Sequence, residues 1–177
     1  MKKLLIIIFL FASFTAFAQQ VFTSKDGNFM VTFPKDWNVS TENKKYAVEA
    51  YEDDYTGVSI SFTNYPELPD SLDIGYIHKD TLKRVIEAQF NYIFKKSMIL
   101  SSGTGIMDGI LAYFYFVKYA DYKDGVPTKF ISFQYQFIYR KKFYSIFGIC
   151  PQKLYDNYEK TFNQIYSTFR FINKLKK

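Results

Sequence analysis

The aromatic stretch at residues 110–119 constrains the fold of this chain more than any other sequence feature. Its sequence, Ile-Leu-Ala-Tyr-Phe-Tyr-Phe-Val-Lys-Tyr, is apolar or aromatic at every position except Lys118. Because successive side chains of a strand point to opposite faces, the pattern predicts a central strand that is covered on both faces. Residues 130–139 predict a second long strand, with one apolar face and one more polar face.

The composition is that of a globular protein with an excess of aromatic residues. The 177 residues include 20 Phe, 16 Tyr and 1 Trp. The 48% hydrophobic and 23% charged residues are ordinary values, and the length suits one domain. A single Cys excludes an intrachain disulfide, and a single His excludes most multi-histidine metal or catalytic sites.

The N-terminus has the form of an export signal. A positive start and an apolar stretch precede Ala16-Phe17-Ala18, the small-x-small pattern that signal peptidase cleaves. The stretch is shorter than the ~20 residues that span a membrane, and no Cys lies at the cleavage point to accept a lipid. We therefore predict a soluble exported protein, periplasmic or extracellular, with no membrane anchor and no nucleic-acid partner. The expected segments are a signal peptide at 1–18, a single domain at 19–172 and a frayed basic tail at 173–177.

Several strands are indicated by alternation and by turn residues. Alternating residues predict a strand at 28–33, a hairpin that turns at 53–57 and a last strand at 143–149. Asp108-Gly109 predicts a two-residue hairpin turn, because both residues tolerate positive φ. Short turns between consecutive strands make the expected sheet mainly antiparallel.

One helix is expected between the two groups of strands and another near the C-terminus. The first follows Pro69, with Asp70 and Ser71 as candidate N-caps. The second follows Pro151, whose fixed φ suits the start of a helix. The order predicts an α+β fold, an α-β-α layered sandwich around a mainly antiparallel sheet. Apolar residues at helical spacing are Leu82, Val85, Ile86, Phe90 and Ile93 in the first helix, and Leu154, Tyr158, Phe162, Ile165 and Phe169 in the second.

The first residues after the leader carry a family resemblance. Residues 22–37 combine a strand, a turn with Gly27, an alternating strand that ends at Pro34, and Trp37 three residues later. This opening resembles that of PsbP-like proteins, a group that includes an extrinsic photosystem subunit and many small exported bacterial proteins. The resemblance implies an α-β-α sandwich and structural roles for Gly27, Pro34 and Trp37.

The resemblance implies docking or assembly rather than catalysis, and it supplies no catalytic motif. Many bacterial relatives are lipoproteins, whereas this chain has no Cys at the cleavage point. Plant relatives are linked to metals and to photosystem binding, which a chain with one His gives no reason to expect. We predict no cofactor, no metal site and no catalytic residue.

Three further features contain residue types that can carry chemistry. His78 has Asp80 two positions later, which is not on the same helical face, so we interpret His78 as a surface or packing residue. Cys150 has only this histidine as a possible partner, so we interpret it as a buried, inert thiol. The acidic run Glu52-Asp53-Asp54 is interpreted as a solvated hairpin tip, with a weak cation site as the alternative.

Tyrosines are the candidates for a binding surface. Tyr113, Tyr115 and Tyr119 share one face of their strand, and Tyr135 and Tyr139 share a face of the next. On adjacent strands these rings would floor a groove for a protein, a sugar or a lipid tail. The alternative is a core beneath a helix, with the hydroxyl groups at its rim.

Three functions remain open. The first is an exported, non-catalytic binding or assembly module that docks onto an envelope protein through its sheet or groove surface. The second is a carrier of an apolar small molecule or lipid in an aromatic-lined cavity, for which we expect a cavity of roughly 300 Å³ or more. The third is a hydrolase with two inward carboxyl groups near a cleft.

Overall fold

A computed structural model describes residues 19–94 and 96–173. The predicted signal peptide and residues 174–177 of the predicted tail lie outside this range. The helices are α1 (Lys79–Ile93) and α2 (Tyr155–Thr168), each preceded by a short 3-10 helix, Ile74–Tyr76 or Gln152–Leu154. The strands are β1 (Gln19–Ser24), β2 (Phe29–Pro34), β3 (Asn38–Ser40), β4 (Val48–Asp53), β5 (Thr56–Asn64), β6 (Met98–Met107), β7 (Ile110–Lys123), β8 (Val126–Tyr139), β9 (Lys142–Pro151) and β10 (Arg170–Phe171).

The strands form two antiparallel sheets. The large sheet has the order β3-β4-β5-β9-β8-β7-β6, and the small sheet has the order β1-β2-β10. The turn between β6 and β7 is the predicted one, with Asp108 at a φ of 47° and Gly109 at 79°. The turn between β8 and β9 also uses positive φ, at Arg140 and Lys141.

Two hydrophobic cores lie on the two faces of the large sheet. On one face, side chains of α2 and of the small sheet pack against the strands, with Phe29, Phe137 and Ile165 at most 2% exposed. On the other face, α1 packs against β7 and β8 through Ile86 and Phe90. Helices thus cover both faces, and the predicted α+β fold, an α-β-α sandwich around an antiparallel sheet, is confirmed.

The position of β7 differs from the prediction. Its aromatic stretch is covered on both faces, as expected, but the strand lies next to the edge strand β6 rather than at the centre of the sheet. The centre is β9, which pairs with β5 and β8. Cover on both faces depends on where the helices lie, and a strand one place from the edge can have it as well as a central one.

The start of α1 corrects the predicted N-caps. Asp70 and Ser71 lie in a turn well before the helix, because a 3-10 helix capped by Asp73 occupies the intervening chain. The N-cap of α1 is His78, whose Nδ1 accepts a hydrogen bond of 3.3 Å from the backbone amide of Asp80. His78 is therefore a surface residue that caps a helix.

The predicted apolar stripe of α1 is only partly buried. Leu82, Ile86 and Phe90 face the sheet, whereas Val85 is 54% exposed and Ile93 is 59% exposed. The stripe is wider than the strip of helix that contacts the sheet, so apolar side chains remain at the margin. None of the described helices is long and apolar enough to span a membrane.

The three motif residues near the N-terminus lie in the framework of the small sheet. The backbone carbonyl of Gly27 accepts a hydrogen bond of 2.8 Å from the Tyr144 hydroxyl, which ties the first turn to β9. The side-chain amide of Gln20 donates hydrogen bonds of 2.9 and 2.6 Å to the backbone carbonyls of Pro34 and Trp37. The Trp37 side chain is 5% exposed and lies in the core between the small sheet and α2.

Candidate functional site

The five candidate tyrosines do not share one surface. Tyr113 lies opposite Gln136 in the register of β7 and β8, and Phe114 lies opposite Tyr135. Directly opposed residues point to the same face of a sheet, so the tyrosines of the two strands point to opposite faces. The groove floored by all five rings is therefore a wrong prediction, since it required a register in which odd positions oppose odd positions.

The tyrosines of β7 lie beneath α1. Tyr113, Tyr115 and Tyr119 are 7%, 2% and 2% exposed, and the Tyr113 hydroxyl donates a hydrogen bond of 3.1 Å to the carbonyl of Ile77. Burial raises the pKa of Tyr115 to about 12 and that of Tyr119 further. These three residues therefore form part of a core beneath a helix, which is the alternative to a binding surface given above.

The tyrosines of β8 lie on the α2 side. Tyr135 packs against Tyr166 of α2 with ring centroids 5.3 Å apart, and Tyr139 packs against Phe171 at 4.0 Å. Both are half-buried side chains at the margin of the core. Their part in binding stays a prediction.

A cavity of about 550 Å³ lies between the C-terminal half of α1 and the uncovered part of the large sheet. We call it the α1 groove. It exists because α1 covers β7 and β8 but leaves β5 and β9 open on that face. Its apolar wall comes from the helix and from β9, and its floor comes from β5, β8 and β9. Its lining includes Phe90 and Ile93 of the helix, Phe143 and Ser145 of β9, Ser61 of β5 and Gln136 of β8.

The floor of the α1 groove is polar where an ordinary core would be apolar. Ser61, Ser145, Gln134 and Gln136 occupy neighbouring positions on β5, β9 and β8. Gln136 is 6% exposed, and its Oε1 atom has no hydrogen-bond partner. An unsatisfied buried polar group destabilises the folded state by about 1–3 kcal/mol. A hydrogen-bond donor that reached Gln136 Oε1 would therefore be stabilising.

A smaller cavity of about 290 Å³ adjoins the α1 groove beside the β4–β5 turn. We call it the hairpin cavity. It shares Tyr46, Phe147 and Ile149 with the α1 groove. Its wall includes Thr56, which is 1% exposed and whose Oγ1 also lacks a hydrogen-bond partner. The two cavities therefore form neighbouring parts of one depression on the sheet face, each with an unsatisfied polar atom.

The charged side chains that line this depression are acidic. Asp121 lines the α1 groove, and Glu49, Asp53 and Asp54 line the hairpin cavity. Among the described residues, no Lys or Arg lines either cavity. The formal charge of the chain is +6, so this acidic lining stands out against a basic protein.

A basic side chain, Lys123, lies at the outer edge of this depression. Lys123 Nζ lies 4.6 Å from the ring centroid of Tyr55, a residue of the hairpin cavity. The Tyr55 hydroxyl donates a hydrogen bond of 2.8 Å to Asp124, which ties the β4–β5 turn to the β7–β8 turn.

The remaining candidates for chemistry are Cys150 and the acidic residues of the β4–β5 turn. Cys150 is fully buried, and burial raises the pKa of its thiol to about 12. Within the part of the chain that the structure describes, no group of three or more His, Cys, Asp or Glu side chains is placed to hold a metal ion. The predicted acidic tip contributes Asp53 and Asp54 to the hairpin cavity, a placement that the sequence did not indicate.

The sequence matches no family model and no curated protein, so the comparisons rest on solved structures. The solution structure of cyanobacterial PsbP from Synechocystis sp. PCC 6803 is similar over 90% of this chain and 95% of its own length, with a TM-score of 0.64 and 11% sequence identity.

Two further solved structures are similar. LpqN, which is involved in cell envelope biogenesis of Mycobacterium tuberculosis, matches over 86% of this chain and 89% of its own length, with a TM-score of 0.52 and 9% identity. A crystal structure from Bacteroides thetaiotaomicron VPI-5482 has a TM-score of 0.54 and 14% identity, and the match covers 87% of this chain but 48% of that one. The chain therefore has a PsbP-like fold, and the resemblance seen at residues 22–37 is confirmed at the level of fold.

Proposed function

We propose that this chain is an exported, non-catalytic binding protein of the cell envelope whose α1 groove holds the apolar part of a small amphiphile or lipid. The observation that supports this most is the α1 groove itself, a cavity of about 550 Å³ with apolar walls and a few polar groups on its floor. Small-molecule sites have this character, with volumes of about 300–1,000 Å³.

The position of the acidic side chains supports binding rather than hydrolysis. Asp53, Asp54 and Asp121 are exposed at the rim of the depression, and Glu49 is half-buried. A carboxylate hydrolase needs two inward carboxyl groups that face each other across a substrate. The envelope location is supported by the predicted leader and by the likeness to LpqN, whose own part lies in cell envelope biogenesis.

A neutral apolar fluorophore tests the proposal. Diphenylhexatriene gains fluorescence in an apolar site and carries neither a charge nor a hydrogen-bond donor. Its titration into the purified mature chain is expected to saturate at one site. Ser145→Phe, which places a ring on the floor of the α1 groove, is expected to abolish that binding.

A matched pair of helix variants locates the site. Ile93 and Val85 are similarly exposed residues of α1, at 59% and 54%, but only Ile93 lines the α1 groove. Ile93→Gln is expected to weaken fluorophore binding by about threefold to tenfold, from the loss of partly buried apolar area. Val85→Gln is expected to leave it unchanged. Absence of saturable binding, or equal effects of the two variants, would overturn the proposal.

The edge strand β6 favours a second candidate function, docking onto an envelope protein. Its sequence, Met-Ile-Leu-Ser-Ser-Gly-Thr-Gly-Ile-Met, is ten residues long and has no charged side chain. Sheet edges are usually protected by charges, by proline or by shortness, and the opposite edge, β3, is only three residues long. An open, uncharged edge suits the addition of an extended segment of a partner protein as a further strand.

A lysine introduced into the edge strand β6 tests this second candidate function. The tagged protein is cross-linked in its native envelope, and the cross-linked products of the wild type and of Thr104→Lys are compared. Thr104 is exposed on β6, and a lysine there hinders strand addition. A product that Thr104→Lys removes and the α2 control Asn157→Lys retains supports docking at β6. A product that both variants retain argues against it.

A further inference from the structure

We infer that the α1 groove selects a neutral single-chain amphiphile with a hydroxyl head group, in preference to the same chain with an anionic or a cationic head group. This inference rests on the proposed function, because it names the ligand class of the same site and the direction in which the ligand lies. Two observations carry it. Polar side chains, including a buried acceptor without a partner, lie at one end of the groove, and apolar side chains lie at the other end.

The polar side chains form a row across three neighbouring strands. Gln136 of β8 lies directly opposite Ser145 of β9, and Ser145 lies directly opposite Ser61 of β5. Directly opposed residues point to the same face of a sheet, so the three side chains are neighbours on the floor of the groove. We call them the polar row. The two serines are half-buried and Gln136 is 6% exposed, so a head group above Ser145 lies next to both of the other side chains.

The hydrogen-bonding capacity of the polar row matches a hydroxyl group. The Oε1 atom of Gln136 can only accept a hydrogen bond, and it has no partner. Because a carboxamide turns about its last side-chain bond, this oxygen can face a donor in the groove. A ligand hydroxyl can donate to Gln136 and accept from the Ser145 hydroxyl at the same time. A carboxylate can only accept and an ammonium group can only donate, so neither ion can make both hydrogen bonds.

A charged head group has no partner at the polar row. Among the described residues no Lys or Arg lines the α1 groove, so a carboxylate at the row would be desolvated without a cation beside it. The acidic residue of the groove lining, Asp121, lies opposite Thr128 of β8. Positions 128 and 136 are roughly 26 Å apart along that strand. Asp121 therefore cannot pair with an ammonium group at Gln136.

The apolar end of the groove lies further along β9. Phe147 and Ile149 follow Ser145 on the same face of the strand, because alternate residues share a face. The ring of Phe90 on α1 packs against Tyr119 with centroids 5.7 Å apart, and Tyr119 lies at the same end of the sheet as Ile149. The strand runs roughly 13 Å from Ser145 to Ile149, which suits a tail of about ten carbons.

Four ligands with the same ten-carbon chain test the head group. They are decanol, decyl methyl ether, decanoate and decylammonium, each used at neutral pH and below its aggregation concentration to displace diphenylhexatriene from the mature chain. Decanol is expected to compete about fivefold better than the ether, which accepts a hydrogen bond but cannot donate one, and about tenfold better than either ion. A groove without a site for the head group would favour the ether, because the ether is more hydrophobic than the alcohol.

A pair of glutamine variants assigns the acceptor. Gln136→Leu is expected to abolish the preference for decanol over the ether, a change of about fivefold, because it removes the acceptor without a partner. Gln134→Leu is the matched control and is expected to keep the preference. Gln134 lines the same groove and is 5% exposed, but it lies opposite Phe147, beyond the polar row.

Nuclear Overhauser effects between decanol and the mature chain measure the direction of the ligand. The protons on the carbon that carries the hydroxyl group are expected near the Gln136 side chain, and the terminal methyl group is expected near Ile149. The opposite arrangement would overturn the inference, even if the affinities followed the expected order.

Failure of this inference is distinguishable from failure of the proposed function. If diphenylhexatriene binds at the α1 groove but the ether or an ion competes as well as decanol or better, the groove stands and its selectivity for a hydroxyl head group is wrong. If Gln136→Leu and Gln134→Leu change the preference equally, or neither changes it, the hydrogen bond to Gln136 is wrong. If the fluorophore does not bind, both proposals fall.

Discussion

The hydroxyl group of Tyr166 occupies the space in which a side chain on Gly148 would lie. From there it donates a hydrogen bond of 3.2 Å to the carbonyl of Phe133 on β8, next to the strand that carries Gly148. The ring packs against Phe133 and Tyr135 with centroids 5.5 and 5.3 Å away. One missing β-carbon therefore lets a buried tyrosine of α2 fix the helix onto the sheet.

Gly148→Ala is expected to lower the free energy of unfolding by about 1–3 kcal/mol, because the added carbon overlaps the Tyr166 hydroxyl. The measurement is urea denaturation. Gly105→Ala on β6 is the matched control, since its β-carbon would meet Tyr135 at an ordinary 3.5 Å. In the double variant Gly148→Ala with Tyr166→Phe, the two losses should be less than additive. Strict additivity would contradict the packing described.

Stability should fall as the solution becomes strongly alkaline. Burial raises the pKa of the Cys150 thiol from its usual 9.0 to about 12 and that of Tyr115 from 10.0 to about 12. These groups stay protonated in the folded chain and ionise first in the unfolded chain, so their contribution is complete below pH 9 and is lost between pH 9 and 12.

Cys150→Ala separates the thiol from the tyrosines. In the variant, the decline in urea midpoint should begin near pH 10 instead of near pH 9, because the tyrosines titrate from 10.0 in the unfolded chain. A thiol-specific reagent should also react with the native wild type only as fast as the chain unfolds. Rapid reaction of Cys150 at neutral pH without unfolding would show that it is accessible.

Gln136→Leu is expected to raise the free energy of unfolding by about 1 kcal/mol in the absence of ligand, because it removes a buried acceptor that has no partner. Gln134→Leu on the same face is the control, since Gln134 has no buried polar atom without a partner. A loss of stability in Gln136→Leu would mean that the amide supports the fold rather than a ligand.

The architecture could be predicted because it depends on patterns among residues that are close in the sequence. The hairpin at Asp108-Gly109 depends on two neighbouring residues, and the helix cover of β7 depends on a strand that is apolar on both faces. Such features are local, so they can be predicted without knowing which strands pair.

The candidate site could not be predicted in the same way, because it depends on the register between strands and on where α1 lies over the sheet. The prediction of one tyrosine surface was wrong because odd-numbered residues of β7 oppose even-numbered residues of β8. The loop between the two strands sets that register. The α1 groove was missed for a related reason. Its signal was present in the polar face of β8 and in the unburied Ile93, but nothing in the sequence says that α1 leaves β9 uncovered.

The most direct test of the account is the map of amide chemical shifts of the mature chain during titration with diphenylhexatriene, the neutral probe of the α1 groove. We expect the largest changes at α1 groove residues, including Ile93, Gln136 and Ser145, with little change at Asn157 and Gln164 of α2. Changes confined to α2 or to the edge strand β6, or no saturable changes at all, would contradict the assignment of the α1 groove as the binding site.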